Sequence, residues 1–93
     1  MPLIDAKQKD WRLVPERLRN SIRMWVEDGR PPGRFLQCVL TNDLASACTG
    51  DSENTAALGN IVHFLRWHCP RDCWGSPENF RSWPERLRDM RAA

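Results

Sequence analysis

The chain lacks the features that most directly indicate a membrane or exported protein. No apolar run approaches the roughly 20 residues that a membrane-spanning helix needs. The N-terminal stretch "MPLIDAKQKDW" has no apolar segment of the secretory type. We therefore expect a soluble protein of the cytoplasm that does not bind a membrane.

Motifs for catalysis are also missing. The chain has no glycine-rich phosphate loop, no HExxH and no GxSxG. A domain of 93 residues leaves much of its chain near the surface and has little room for a water-excluded active site. We therefore expect a binding protein with no cofactor rather than an enzyme.

Lysine is scarce, because 12 of the 14 basic residues are arginine, while the formal net charge is only +2. Arginine has a planar guanidinium that contacts carboxylates, phosphates and aromatic rings, so this bias favours specific contacts over a general positive charge. A GC-rich coding genome would produce the same bias.

Strand patterns are absent too, since no run alternates apolar and polar residues rich in Val, Ile or Thr. The sequence predicts an all-α fold, a compact bundle of about four helices with a short C-terminal helical segment. We expect one domain over residues 1–93. It would consist of an N-terminal arm (1–13), a helical core (14–70) and a C-terminal helical tail (71–93).

Three segments carry apolar residues at helical spacing. The first spans residues 15–28, begins with a proline and ends before a glycine. The second, residues 34–48, is either one helix or two, because Asn42 and Asp43 are better caps than interior residues. The third follows a turn at residue 50 and ends at Pro70.

The pentapeptide "PERLR" occurs at residues 15–19 and again at 84–88. Both copies place proline and then glutamate where a helix begins, and five residues are too few for a repeat architecture. In the tail, Ser76 is predicted to cap a short helix that runs to about Trp83. Because Pro84 disfavours helical geometry at the preceding residue, we expect the chain to kink or turn there and then restart.

One cluster, "HFLRWHCPRDC", combines residue types that bind metals or act as nucleophiles: His63, His68, Cys69, Asp72 and Cys73. A zinc site would lack a second well-spaced ligand pair, and Cys38 or Cys48 would have to complete it. A cysteine nucleophile would need a base within reach, an orienting group and oxyanion donors. We predict free, mostly packed thiols and no metal, and the participation of His68, Cys69 and Cys73 in a metal site stays open.

A nucleic-acid interface is the main alternative. Residues 15–48 could form a helix-turn-helix whose arginines contact phosphates. However, the connection "EDGRPPG" is longer than the usual turn of three or four residues, and acidic residues interleave with the arginines. The isoelectric point of 8.5 also lies below the value above about 9 that is typical of DNA-binding domains.

The five tryptophans divide by their position. Trp25 and Trp67 lie within predicted helices and are expected in the core. Trp11, Trp74 and Trp83 lie near predicted turns, where a ring either seals the core or contacts a partner.

We place the candidate binding surface on the tail, because tryptophan and arginine are enriched at interface hot spots. Its predicted residues are Trp74, Phe80, Arg81, Trp83, Arg86 and Arg88. Arg81 and Arg86 would contact a partner carboxylate, or a phosphate if the partner handles nucleic acid. The other interpretation is that the rings only lock the tail to the core.

Several short strings resemble a group of small proteins encoded by bacteriophages and prophages of proteobacteria. The matching positions are Pro32-Gly33, Phe35-Leu36, Val39-Leu40, Asn42-Asp43-Leu44, Ile61-Val62, Phe64-Leu65 and Cys73 through Glu78, the string "CWGSPE". The resemblance covers about residues 13–83 and carries no activity or site residue. It implies a phage origin and, by analogy with anti-CRISPR and other anti-defence proteins of this size, binding to a bacterial host protein.

Overall fold

The computed structural model describes residues 11–50 and 52–92. In this part of the chain there are five α-helices and no strand, which confirms the predicted all-α class. The α-helices are α1 (Glu16–Asp28), α2 (Arg34–Leu40), α3 (Leu44–Ala47), α4 (Ser52–His68) and α5 (Pro77–Ala92). Two short 3₁₀ helices, Trp11–Leu13 and Arg71–Cys73, precede α1 and α5. None of the described helices is long and apolar enough to cross a membrane.

Helix α1 begins and ends where its local sequence predicts. Pro15 stands just before the first helical residue, and Gly29 follows the last one with a positive φ of 69°. The Gly29 N–H donates to the Trp25 carbonyl oxygen at 2.9 Å, which closes the C-terminus with a glycine in the left-handed conformation. The face that α1 buries is formed by Ile22, Trp25 and Val26.

Residues 34–48 form two helices rather than one. Asn42 adopts a φ of 63°, a conformation that interrupts a right-handed helix. The side chain of Asp43 then caps α3 by accepting a hydrogen bond from the Ser46 N–H at 3.3 Å. These two residues are the pair that the sequence marks as better caps than interior residues.

The prediction of a break at Pro84 is wrong, because α5 is continuous from Pro77 to Ala92 with Pro84 inside it. Its start is as predicted, since the Asn79 N–H donates to the Ser76 hydroxyl at 3.1 Å. Proline removes one backbone hydrogen bond from a helix and crowds the preceding turn. Burial of Trp83 and Leu87 on either side of the proline offsets that cost.

The C-terminal tail belongs to the core rather than lying outside it. Cys73, Trp83 and Leu87 are at most 3% exposed and form one cluster with buried residues from α1, α2, α3 and α4. No polar or charged residue is buried anywhere in the described ranges. Hydrophobic packing therefore joins residues 14–70 and 71–92 into one unit.

Candidate functional site

Two of the six predicted binding residues serve the core. Trp83 is only 2% exposed, and its indole N–H donates to the carbonyl oxygens of Trp25 at 3.0 Å and Val26 at 3.2 Å. The half-buried Phe80 stacks on Trp25 with ring centroids 4.5 Å apart and planes at 19°. Both rings fasten α5 to α1, and the burial of Trp83 removes it from the predicted binding surface.

The three predicted arginines lie exposed on α5. Arg81 is 3.9 Å from a carboxylate oxygen of Glu78, one turn earlier, and Arg86 is 3.7 Å from a carboxylate oxygen of Asp72. Exposed ion pairs at such distances contribute at most about 1 kcal/mol, so a partner carboxylate can compete for these side chains. Arg88 is exposed as well.

The sixth predicted residue, Trp74, lines a surface groove of about 350 Å³. The other lining residues are Arg66, Arg71, Gly75 and Asn79. The groove therefore lies where the end of α4, the 3₁₀ helix Arg71–Cys73 and the first turn of α5 come together. The sequence places Trp74 near a turn, where it either seals the core or contacts a partner, and nothing in it indicates that Arg66 and Arg71 lie beside this ring.

Backbone contacts hold the wall of the groove in place. Gly75 has a φ of 102°, and its N–H donates to the Leu40 carbonyl oxygen at 2.8 Å, which attaches this segment to α2. The side-chain amide of Asn79 donates to the Trp74 carbonyl oxygen at 2.9 Å. The segment that carries Trp74 is thus fixed from both sides, so the groove is formed before any ligand arrives.

Trp67 was predicted in the core, and this prediction is wrong, because the residue is 62% exposed. The buried face of α4 is formed by Ile61, Phe64 and Leu65. At about 100° per residue, Trp67 points roughly 120° away from Ile61, so helical register could have placed it off that face. The Arg66 guanidinium lies 5.2 Å from the centroid of the Trp67 ring, within cation–π range.

We call Arg66, Trp67, Arg71 and Trp74 the Arg–Trp surface. In the part of the chain that the structure describes, neither Arg66 nor Arg71 forms an ion pair. The Arg–Trp surface therefore presents two positive side chains whose charge the described residues do not neutralise.

The arginines of the helix-turn-helix hypothesis are partly engaged within the protein. Arg17 is 3.7 Å from a carboxylate oxygen of Glu53, and the Arg19 Nε–H donates to the Val14 carbonyl oxygen at 2.9 Å. These contacts tie α1 to α4 and to the preceding turn, so the two side chains already have structural roles.

Trp11 covers the other end of the core. Its ring lies 4.6 Å from that of Phe64, and the Arg23 guanidinium is 5.1 Å from the Trp11 ring centroid. Trp11 therefore takes the sealing role that the sequence allowed for the tryptophans near turns.

The histidine and cysteine cluster shows no metal-binding geometry. No group of three or more His, Cys, Asp or Glu side chains that could hold a metal ion occurs among residues 11–50 and 52–92. Cys73 is fully buried, and burial, with smaller contributions from Cys69 and Asp72, raises the pKa of its thiol far above the ordinary range. The thiol of Cys73 is therefore neutral near pH 7, whereas a nucleophilic cysteine requires the thiolate.

Comparison with protein-family models, with curated proteins and with solved structures gives no match for this chain. The candidate function therefore depends on the surface chemistry described above.

Proposed function

We propose that this protein acts by stoichiometric binding to another protein, and that the partner is a protein of a bacterial host. A component of a defence system such as CRISPR-Cas is the specific partner we infer from the resemblance to small phage proteins. The Arg–Trp surface is the observation that carries the proposal of binding. A mostly exposed tryptophan beside arginines that form no ion pair with the described residues has the composition of an interface hot spot.

The same surface supports binding better than catalysis. The groove is open to solvent, and no polar or charged residue is buried in the described ranges to act as a shielded acid, base or nucleophile. Catalytic groups with shifted pKa values usually depend on such burial. Burial raises the pKa of the Cys73 thiol and so removes its reactive form instead of favouring it.

Capture from a nuclease-treated lysate of the bacterial host tests this proposal. We expect the full-length protein to retain one host protein at a fixed ratio, and Trp67→Ala to retain clearly less, because truncating a hot-spot aromatic typically costs about 2 kcal/mol or more of binding. Trp67 is 62% exposed, so this variant should fold normally, and circular dichroism provides the control. Retention of no host protein would contradict the proposal.

The second candidate is a small DNA-binding regulator, favoured by two exposed arginines: Arg30 in the connection between α1 and α2, and Arg34 at the start of α2. A DNA complex would lose affinity steeply with salt, because each neutralised phosphate releases counterions. Fluorescence anisotropy with a duplex DNA at several salt concentrations separates the two functions. We expect no salt-sensitive complex in the affinity range of a specific DNA-binding protein.

A further inference from the structure

We propose that the groove of the Arg–Trp surface accepts a single aspartate or glutamate side chain of the partner protein, with Trp67 packing on the partner surface beside that side chain. This inference rests on the proposed protein-binding function and identifies the chemistry of the bound segment as acidic.

The groove carries a positive charge that the described residues leave unpaired. Arg66 and Arg71 both line it, and neither forms an ion pair within residues 11–50 and 52–92. A guanidinium presents its N–H donors in a fork that matches a carboxylate, often with two parallel hydrogen bonds. A carboxylate from the partner would supply the negative charge that the groove lacks.

The size and lining of the groove match one acidic side chain. Its volume of about 350 Å³ suits one side chain with its immediate backbone rather than a whole peptide or a nucleotide strand. The Trp74 ring gives it an apolar wall, against which the methylene groups of an acidic side chain can pack. Because Asn79 and Gly75 hold the Trp74 segment, little conformational freedom is lost on binding.

The acidic residues next to the groove residues in sequence favour a protein carboxylate over a phosphate backbone as the ligand. Asp72 follows Arg71 directly, Glu78 precedes Asn79, and their side chains are 59% and 72% exposed. Both carboxylates already pair with arginines of α5, Asp72 with Arg86 and Glu78 with Arg81. A polyanion that extended from the groove onto α5 would therefore meet paired charges and gain little there, whereas a single acidic side chain needs only Arg66 and Arg71.

A titration of the full-length protein followed by NMR tests the proposal directly. The probe is a tryptophan-free peptide of glycine and serine with one central glutamate, acetylated and amidated at its ends. We expect saturable shifts of the indole N–H signals of Trp67 and Trp74, whereas those of the buried Trp25 and Trp83 stay in place. The variant R66A/R71A should lose the shifts, and the control R12A/R91A, which removes two exposed arginines elsewhere, should keep them.

Two further probes distinguish the alternatives. Inorganic phosphate and a single-stranded oligothymidine are titrated under the same conditions. If either moves the Trp67 and Trp74 signals at lower concentration than the acidic peptide does, the groove recognises phosphate and the proposal is overturned. It is also overturned if none of the probes moves them.

A third measurement separates this inference from the proposed function. The host protein captured by the wild-type chain is tested against the charge reversal R66E/R71E, and we expect at least about tenfold weaker binding, as is usual for hot-spot residues. If R66E/R71E binds that partner as tightly as the wild type, the groove is not the contact and only this inference fails. If the wild type captures no protein, the proposed function fails, while the peptide titration still decides the chemistry of the groove.

Discussion

At the scale of single residues, the two fully buried tryptophans, Trp25 and Trp83, each donate their indole N–H to a backbone carbonyl. The indole N–H of Trp25 donates to the Cys73 carbonyl oxygen at 2.9 Å, and that of Trp83 donates to the Trp25 carbonyl oxygen at 3.0 Å. A buried N–H without a partner costs about 1 to 3 kcal/mol, so these bonds allow two large rings to fill a small core. Each ring contributes packing and also fixes one segment against another.

Replacement of Trp83 by phenylalanine tests this role. Trp83→Phe keeps an aromatic ring but removes the N–H donor and part of the buried volume, so we expect the free energy of unfolding to fall by about 1 to 3 kcal/mol. Urea denaturation measures the change. The matched control is Trp67→Phe, which we expect to stay within about 0.5 kcal/mol of the wild type because Trp67 is 62% exposed. Equal losses in both variants would contradict the assignment of Trp83 to the core.

At the scale of helices, α1 and α5 meet closely at one point. A Cβ atom added at Gly29 would lie 3.1 Å from the Cα atom of Pro84 and 3.3 Å from a methyl group of Leu87. Gly29 also has a positive φ of 69°, which a side chain disfavours. The end of α1 can therefore approach α5 beside the proline only because residue 29 has no side chain.

Two glycine substitutions of opposite expected sign test this contact. We expect Gly29→Ala to lower the free energy of unfolding by about 2 to 3 kcal/mol, from backbone strain and crowding against Pro84. Gly59→Ala, inside α4 with nothing within 4 Å of the added atom, should instead raise it by about 0.5 to 1 kcal/mol. Thermal or urea unfolding of the two variants supplies the comparison, and a tolerated Gly29→Ala would show that the two helices can separate at this point.

The helices also show how far the sequence alone could lead. The ends of α1 were predictable because Pro15 and Gly29 act locally, on neighbouring backbone groups. The continuity of α5 was not, because the contacts that stabilise it at Trp83 reach across the chain to α1. Local signals favoured a break at Pro84, and tertiary packing overrode them.

The candidate site was also predictable only where local sequence determines it. Trp74 was predicted at a surface position near a turn, and it lines the groove. Arg66 and Arg71 were not connected with it, because their meeting depends on the direction of the chain after α4 ends, which neither composition nor periodicity specifies. Only the exposure of Trp67 had a usable signal, in its register on α4.

At the scale of the whole molecule, acidic and basic side chains are interspersed over the surface and the net charge is small. Arg81 and Arg86 already contact Glu78 and Asp72, while Arg66 and Arg71 have no such contact in the described ranges. These two pairs of arginines therefore differ in the contacts that they can form with a partner. The arginines at the groove gain a counter-charge on binding, and those of α5 exchange one carboxylate for another.

The double variant R81A/R86A measures this difference. We expect its thermal stability to stay nearly unchanged, because both ion pairs are exposed and each contributes about 1 kcal/mol or less. We expect partner binding to weaken less than in R66A/R71A, as measured by calorimetry or surface plasmon resonance. If R81A/R86A is the weaker binder, the main contact lies on the exposed face of α5 and the groove is secondary.

The indole hydrogen bonds of Trp25 and Trp83 span 48 and 58 residues of the chain. One reaches from α1 to the 3₁₀ helix Arg71–Cys73, and the other reaches from α5 back to α1. Both bonds join segments that lie far apart in sequence, so each requires a long loop of chain to close before it can form. The helices can form from local contacts, whereas the pairing of α1 with α5 is the slower, non-local step of folding.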